Sequence, residues 1–433
     1  MEIRRLDSRA EDFAQAMQDL LAQSSVSQDE VSTRVADIIG DIRARGDAAL
    51  LHYAAVLDAT EVDDVRQLRL SAETLRAAWE GLDAPTQKAL QTAHDNVAEY
   101  GERQKLQDWS YTRPDGSILA QQVRPLDSVG IYVPGGKAAY PSSVIMNAVP
   151  AKVAGVARIV MVVPTPGGVA NPLVLASAYL CGVDEVWTIG GAHAVAALAY
   201  GTQSFAAVDK ITGPGNRYVA EAKRQVFGQV GIDMIAGPSE VVIIADDTAQ
   251  ADWIAADLFA QAEHDEMAQS ILLTPSAQLA DRVQKSIAKL LPQQARAAII
   301  ERSLAERGAL IVCEDIAECI ALSNHIAPEH LELMFEQAAD YVPHIRHAGA
   351  IFVGEHSNEV FGDYCAGTNH VLPTSRSARF ASALGVYDFQ KRSSVLQLSR
   401  AAAGQLSPIA EHLAKGEGLF AHALSAQLRG GDA

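Results

Sequence analysis

The chain has only four cysteines, Cys181, Cys313, Cys319 and Cys365, with no Cys-x-x-Cys pair among them. They are too few to staple 433 residues and lack the spacing of a thiolate metal site. Basic residues are scarce: 35 Lys and Arg stand against 53 Asp and Glu, a formal charge of −18. A surface this acidic repels nucleic acid and anionic lipid, leaving at most a local basic pocket for a phosphate. No apolar run of about 18 residues occurs to span a bilayer, and the opening Met-Glu-Ile-Arg-Arg begins no secretory core. The P-loop pattern GxxxxGK[ST] is missing. Gly213-Pro214-Gly215 lacks the third glycine of a dinucleotide fingerprint, and Gly416–Ala421 satisfies GxGxxA only behind a helical stretch. These absences, with 48% apolar and 20% charged residues, predict a soluble cytoplasmic globular protein.

What is present is an alternation of textures. Residues 1–110 are dense in Ala, Leu, Gln, Glu and Arg, and Val31, Val35, Ile38, Ile39 and Ile42 recur at helical spacing. This predicts an N-terminal helical arm, with a helix break near Asp83-Ala84-Pro85. In 111–237 short Val/Ile runs (Val129–Val133, Arg158–Val163, Glu185–Ile189, Asp209–Ile211) alternate with Ala-rich helical stretches. In 238–385 a second series follows, with strands expected at Glu240–Ile244, Ser270–Leu273, Leu310–Cys313, His330–Met334 and Ala350–Val353. Helices are expected at Gln250–Ala262 and Ala280–Glu306, and 386–433 reads as a C-terminal helical tail. The fold class is α/β: two doubly wound, Rossmann-like parallel-sheet units, a helical arm before them and a helical tail after.

Glycine turns follow three of the first unit's strands, at Pro134-Gly135-Gly136, Gly190-Gly191 and Gly213–Gly215. One such turn is ordinary punctuation; three at one sheet edge would line the crevice where open α/β sheets hold ligands. In the second unit, Gln261 and His264 stand at i and i+3 and share a helix face that can ligate a metal. His264 equally suits the negative end of the helix dipole. The run Asn324–His330 sets Glu329 beside His330, either at a helix start opened by Pro328 or at the start of a strand. At a helix start the imidazole would stay neutral and could accept a proton. Asp363, Cys365 and His370 share a turn-rich stretch, and Glu417 precedes His422 by five positions. Cys181 and Cys365 have no adjacent His or basic partner and read as small apolar residues rather than nucleophiles.

Seven segments in order resemble the histidinol dehydrogenase family: 126–156, GPGNRYVAEAKRQVFGQVGIDMIAGPSE (213–240), QAEHD (261–265), NHIAPEHLEL (324–333), AGTNHVLPT (366–374), VYDFQKRSSV (386–395) and EGLFAH (417–422). The resemblance implies a Zn2+ enzyme that oxidises L-histidinol to L-histidine through the aldehyde with two NAD molecules in succession. It implies Gln261, His264, Asp363 and His422 as zinc ligands and Glu329 and His330 as the catalytic pair. Ser239, Glu417 and His330 would contact substrate together with the metal ligands, and Tyr132, His193 and Asn216 would contact NAD. It further implies a homodimer whose tail crosses to the partner, so that Glu417 and His422 complete the neighbouring site. Two positions depart from the family pattern. His193 stands where Gln is usual, and Ser375-Arg376-Ser377 replaces a Gly-Gly after Pro373-Thr374.

Two other readings compete with this one. A related dehydrogenase on the same scaffold could act on another small polar alcohol such as a sulfonated diol. A non-catalytic NAD- or metal-binding regulator would bind both groups without turnover, although an intact Glu329-His330 pair argues against it.

Overall fold

The Val/Ile runs pair into two six-stranded sheets in a computed structural model that describes residues 3–22, 28–135 and 140–430. Gly136 of the first glycine turn and the terminal Gly431-Asp432-Ala433 lie outside the described residues. The first sheet runs Arg69–Leu70, Glu185–Trp187, Arg158–Val162, Ser128–Tyr132, Lys210–Thr212, Gly231–Ile232. All its pairings are parallel except that of the edge strand Arg69–Leu70. The second runs Arg4–Asp7, Ala309–Val312, Gln269–Thr274, Glu240–Ala245, His330–Met334, Ala350–Val353 and is wholly parallel. Apart from one edge strand in each, both sheets wind third-second-first-fourth-fifth along the chain, the doubly wound Rossmann order. The two short edge strands lie within the otherwise helical N-terminal part and had no signature in the sequence pattern.

Both sheets are buried on both faces, which explains the near-continuous apolar runs. Alternation divides each strand between two cores. In Arg158–Val162, Ile159 and Met161 join one apolar cluster and Val160 and Val162 the other. In Glu240–Ala245, Val241 and Ile243 face one way, Val242 and Ile244 the other. The N-terminal helices cover the first sheet: Gln28–Arg45 and Asp47–Leu57 supply Val35, Ile38, Ile42 and Leu50 to one of its cores. Each such side chain, fully buried, contributes roughly 1.5–3 kcal/mol. The expected helix over Ala280–Glu306 is two helices, Ala277–Leu290 and Ala297–Arg307, because Pro292 stands in a short 3-10 turn between them.

The tail is not helical from its start. Gln390–Gln397 pairs antiparallel with Ile118–Pro125, which pairs with Trp109–Thr112 in a third, three-stranded sheet. Helices Arg400–Gly416 and Phe420–Gly430 then fold back on one another, leaving Leu413, Leu419, Phe420, Leu424 and Leu428 exposed. No helix among the described residues is long and apolar enough to cross a membrane.

Candidate active site

The carboxyl edge of the first sheet meets the amino edge of the second. A cavity of about 70 Å3 marks the junction, lined by Gly213 and Pro214 from one sheet and Ser239, Glu329, His370 and Thr374 from the other. On the first sheet, two of the glycine turns approach Tyr132. The Tyr132 hydroxyl accepts the Gly191 N–H at 3.0 Å. A Cβ at Gly213, whose φ is +109°, would lie 2.2 Å from the Tyr132 carbonyl, so only glycine fits that approach. Burial pushes the Tyr132 phenol up to about 12, against the lowering effect of the Gly191 N–H, and it stays neutral.

Two helices begin at these turns, Gly191–Tyr200 and Arg217–Val226, and the Asn216 side chain caps the second by accepting the N–H groups of Tyr218 and Val219 at 3.0 and 3.2 Å. Helix N-termini beside glycine turns form an anion-binding edge suited to the pyrophosphate of a dinucleotide. His193 does not open onto this edge. It is fully buried, its Nε2 pairs with Asp58 Oδ2 at 2.9 Å, and the same oxygen accepts the Gly190 N–H at 3.1 Å. His193 and Asp58 thus hold the turn from behind. Lys223 anchors the neighbouring turn, donating to the Gly213 carbonyl at 2.9 Å and pairing with buried Asp233.

On the second sheet, His330 opens its strand rather than a helix, so no helix dipole acts on it. Its Nδ1–H donates to the Glu240 carbonyl at 3.1 Å, and Glu240 N–H donates to Glu329 Oε2 at 2.9 Å. Glu240 is therefore the hub that fixes both neighbours. His330 Nε2 lies 3.4 Å from Asp363 Oδ1 and has no hydrogen-bond partner among the described residues. Candidate ligand atoms of His330, Glu359 and Asp363 all fall within 4.8 Å of one another. Burial pushes the His330 imidazolium down, but Glu359, Glu329 and Asp363 outweigh it and raise its proton affinity well above that of free histidine. Burial pushes the Glu329 carboxyl up to about 7 against the opposing charge of His330. Asp363 is also raised by burial, yet His330, His370 and His264 together hold it below the usual carboxylate range.

Gln261 stands in the last turn of helix Ala251–Ala262, but His264 lies two residues past its end, so the two do not share a helix face as the spacing predicted; the helix is tied to the Glu359–Tyr364 helix by Asn358 donating to Asp257 at 3.0 Å. Gln261 is fully buried and neither its Oε1 nor its Nε2 finds a partner among the described residues. An orphaned amide costs about 1–3 kcal/mol unless something else fills its bonds. An amide oxygen, an imidazole and a carboxylate are donor types that suit zinc, and Asp363, one of the clustered His330-Glu359-Asp363 group, lies close enough to His264 for their charges to interact. Glu417 and His422 do not join it within this chain; they line a groove of their own hairpin with Leu413, Leu419, Ser425 and Arg429.

Sequence reading passed over Glu359, Glu332 and Asp257. Glu332 is fully buried, its Oε1 accepts the Glu359 N–H at 2.8 Å, and burial, with the nearby Asp257 charge behind it, pushes its carboxyl up to about 8. Two signals were available. Glu359 stands four before Asp363 on one helix face, and Glu332 two after His330 on one strand face.

A profile of the histidinol dehydrogenase family matches residues 21–430. The chain is 59% identical to the histidinol dehydrogenase of Chromobacterium violaceum over 98% of each chain. It is 57% identical to that of Pseudomonas syringae pv. tomato over 99% of this chain and 95% of the relative. Its fold is similar to the crystal structure of histidinol dehydrogenase from Elizabethkingia anophelis, with a TM-score of 0.93 at 33% identity, covering 99% of this chain and 98% of that one. A doubly wound fold with a buried histidine-carboxylate cluster, and relatives of this identity, define an oxidoreductase. The chain belongs to the histidinol dehydrogenase family.

Proposed function

We propose that the chain oxidises L-histidinol to L-histidine through the aldehyde, with zinc and two successive NAD molecules, in histidine biosynthesis. The observation that carries this reading is His330, whose Nδ1 is committed to the Glu240 carbonyl while Nε2 has no hydrogen-bond partner among the described residues, next in the chain to Glu329, which lines a cavity with Gly213. The overall balance is alcohol plus two NAD+ plus water to carboxylate plus two NADH plus three protons. When bound, NAD supplies the hydride acceptor, and zinc on Gln261, His264, Asp363 and His422 fixes the substrate's nitrogens as a template.

The chain's own residues handle the protons. His330 takes the alcohol proton at Nε2, the ring nitrogen that its bond to the Glu240 carbonyl leaves to react. Glu329, with an affinity near neutral pH, takes a proton from the water that adds to the aldehyde. His330 acts again as the base of the second oxidation. Ser239, at the cavity wall beside Glu329, contacts substrate. Tyr132 and Asn216 line the dinucleotide edge, and His193 acts on that edge through Asp58 and the Gly190-Gly191 turn.

The active unit in this reading is a homodimer. The apolar residues left exposed on the C-terminal hairpin, and a groove in which Glu417 and His422 are joined only by residues of that hairpin, support a tail that completes the partner's site. The test is turnover with NAD on L-histidinol and on a sulfonated diol. Histidine as product from the first and no NADH from the second is the expected result; the reverse would move the substrate to the diol.

A further inference from the structure

The turn Ser375-Arg376-Ser377 holds two non-glycine residues in a backbone region that favours glycine. Ser375 and Arg376 have φ of +55° and +65°. That region costs a non-glycine residue about 1–3 kcal/mol and persists only where surrounding contacts hold it. Those contacts lead to the catalytic pair by two routes. The Ser375 N–H donates to Glu240 Oε1 at 3.1 Å, and Glu240 is the hub whose backbone binds both Glu329 and His330. Arg376 Nη2 donates to the His325 carbonyl at 2.9 Å, and the Arg379 guanidinium donates to the same oxygen.

His325 lies in the last turn of helix Ile316–Ile326, which ends through Ala327 at φ +55°. The chain then passes Pro328 directly into Glu329 and His330. A helix C-terminus leaves its last carbonyls unpaired and carries negative partial charge, so two guanidinium groups there are both a cap and a favourable charge pairing. Arg376 therefore points to this helix end and not into the substrate cluster.

We propose that Arg376, assisted by Arg379, is a positioning residue of the reaction: it locks the helix end from which Glu329 and His330 are aimed, while Ser375 in the same turn holds Glu240 between them. This rests on the reading of Glu329 and His330 as the catalytic pair. Removing the guanidinium loosens the segment that sets hydride alignment but leaves the metal ligands and the dinucleotide edge in place.

Arg376→Gly separates the two roles, because glycine relieves the positive φ while deleting the clamp. The full-length, zinc-loaded variant is expected to keep its Tm, zinc content and both KM values within twofold, and to lose about tenfold in kcat. Wild-type kcat in Arg376→Gly overturns the clamp. If Tm falls together with kcat, Arg376→Lys decides: a kcat recovered above that of the glycine variant supports a cationic clamp, and no recovery overturns it. His330→Asn is measured alongside. Full activity there would overturn the reading of the pair, whereas loss there with full activity in Arg376→Gly overturns the clamp alone.

Discussion

His330 gives its Nδ1–H to the backbone carbonyl of Glu240 at 3.1 Å, and this single bond decides which imidazole nitrogen is left to react. A carbonyl can only accept, so Nδ1 carries the proton and Nε2 becomes the exchangeable one. The base is thus specified by main chain rather than by a carboxylate partner.

Replacing His330 by Asn is expected to lower kcat by roughly 10²–10⁴-fold, the usual contribution of a positioned general base. Zinc content should stay at the wild-type level, because the proposed ligands Gln261, His264, Asp363 and His422 are untouched. Metal analysis beside the kinetics checks this; loss of zinc in proportion to activity would make His330 a ligand instead.

The Asp58 carboxylate accepts both the Gly190 N–H and the His193 ring N–H behind the dinucleotide edge. Asp58→Ala frees the turn and leaves those donors unpaired, a cost of about 1–3 kcal/mol. The expected outcome is a KM for NAD raised about tenfold with the KM for histidinol unchanged. Equal rises in both would mean that the pair supports the fold as a whole.

Glu332 is held up at about 8 and Asp257 at about 6, burial being the first cause of both. Their folded-state affinities exceed those of the unfolded chain, so folding takes up protons and the associated stability is complete below about pH 4. That stability is lost as pH rises through 6 to 8. Glu332→Gln keeps an acceptor for the Glu359 N–H without a titrating proton. Relative to its value near pH 4, its Tm should fall less steeply toward pH 8 than that of wild type does. Parallel Tm curves would show that this pair does not hold the extra proton.

A His264→Ala subunit and a His422→Ala subunit are each expected to be inactive alone. Mixed, they should recover part of the activity, since one site of each heterodimer keeps a full ligand set when the tail crosses over. No recovery in proven heterodimers would return Glu417 and His422 to their own subunit.

Much of this was legible in the sequence because parallel strands buried on both faces leave unbroken Val/Ile runs, and their number and order define the winding. Arg4–Asp7, Arg69–Leu70 and Gln390–Gln397 were not legible, since edge and exposed strands carry no apolar alternation. The glycine turns announced one half of the site. The other half was harder. Nothing local says that Glu329-His330, at the amino end of one sheet, meets Gly213 at the carboxyl end of another. His193 looked like a ligand contact and is a buried support, because its partner Asp58 lies 135 residues away. The Ser375-Arg376 departure carried no local sign of its partner: the guanidinium meets the carbonyl of His325 at the end of the helix that precedes Glu329 and His330.

A four-electron oxidation that needs metal is read out by the NADH formed per molecule of limiting L-histidinol. Two NADH per histidinol are expected, abolished by chelation and restored by zinc. One NADH with aldehyde accumulating, or undiminished turnover after complete metal removal, would contradict this reading.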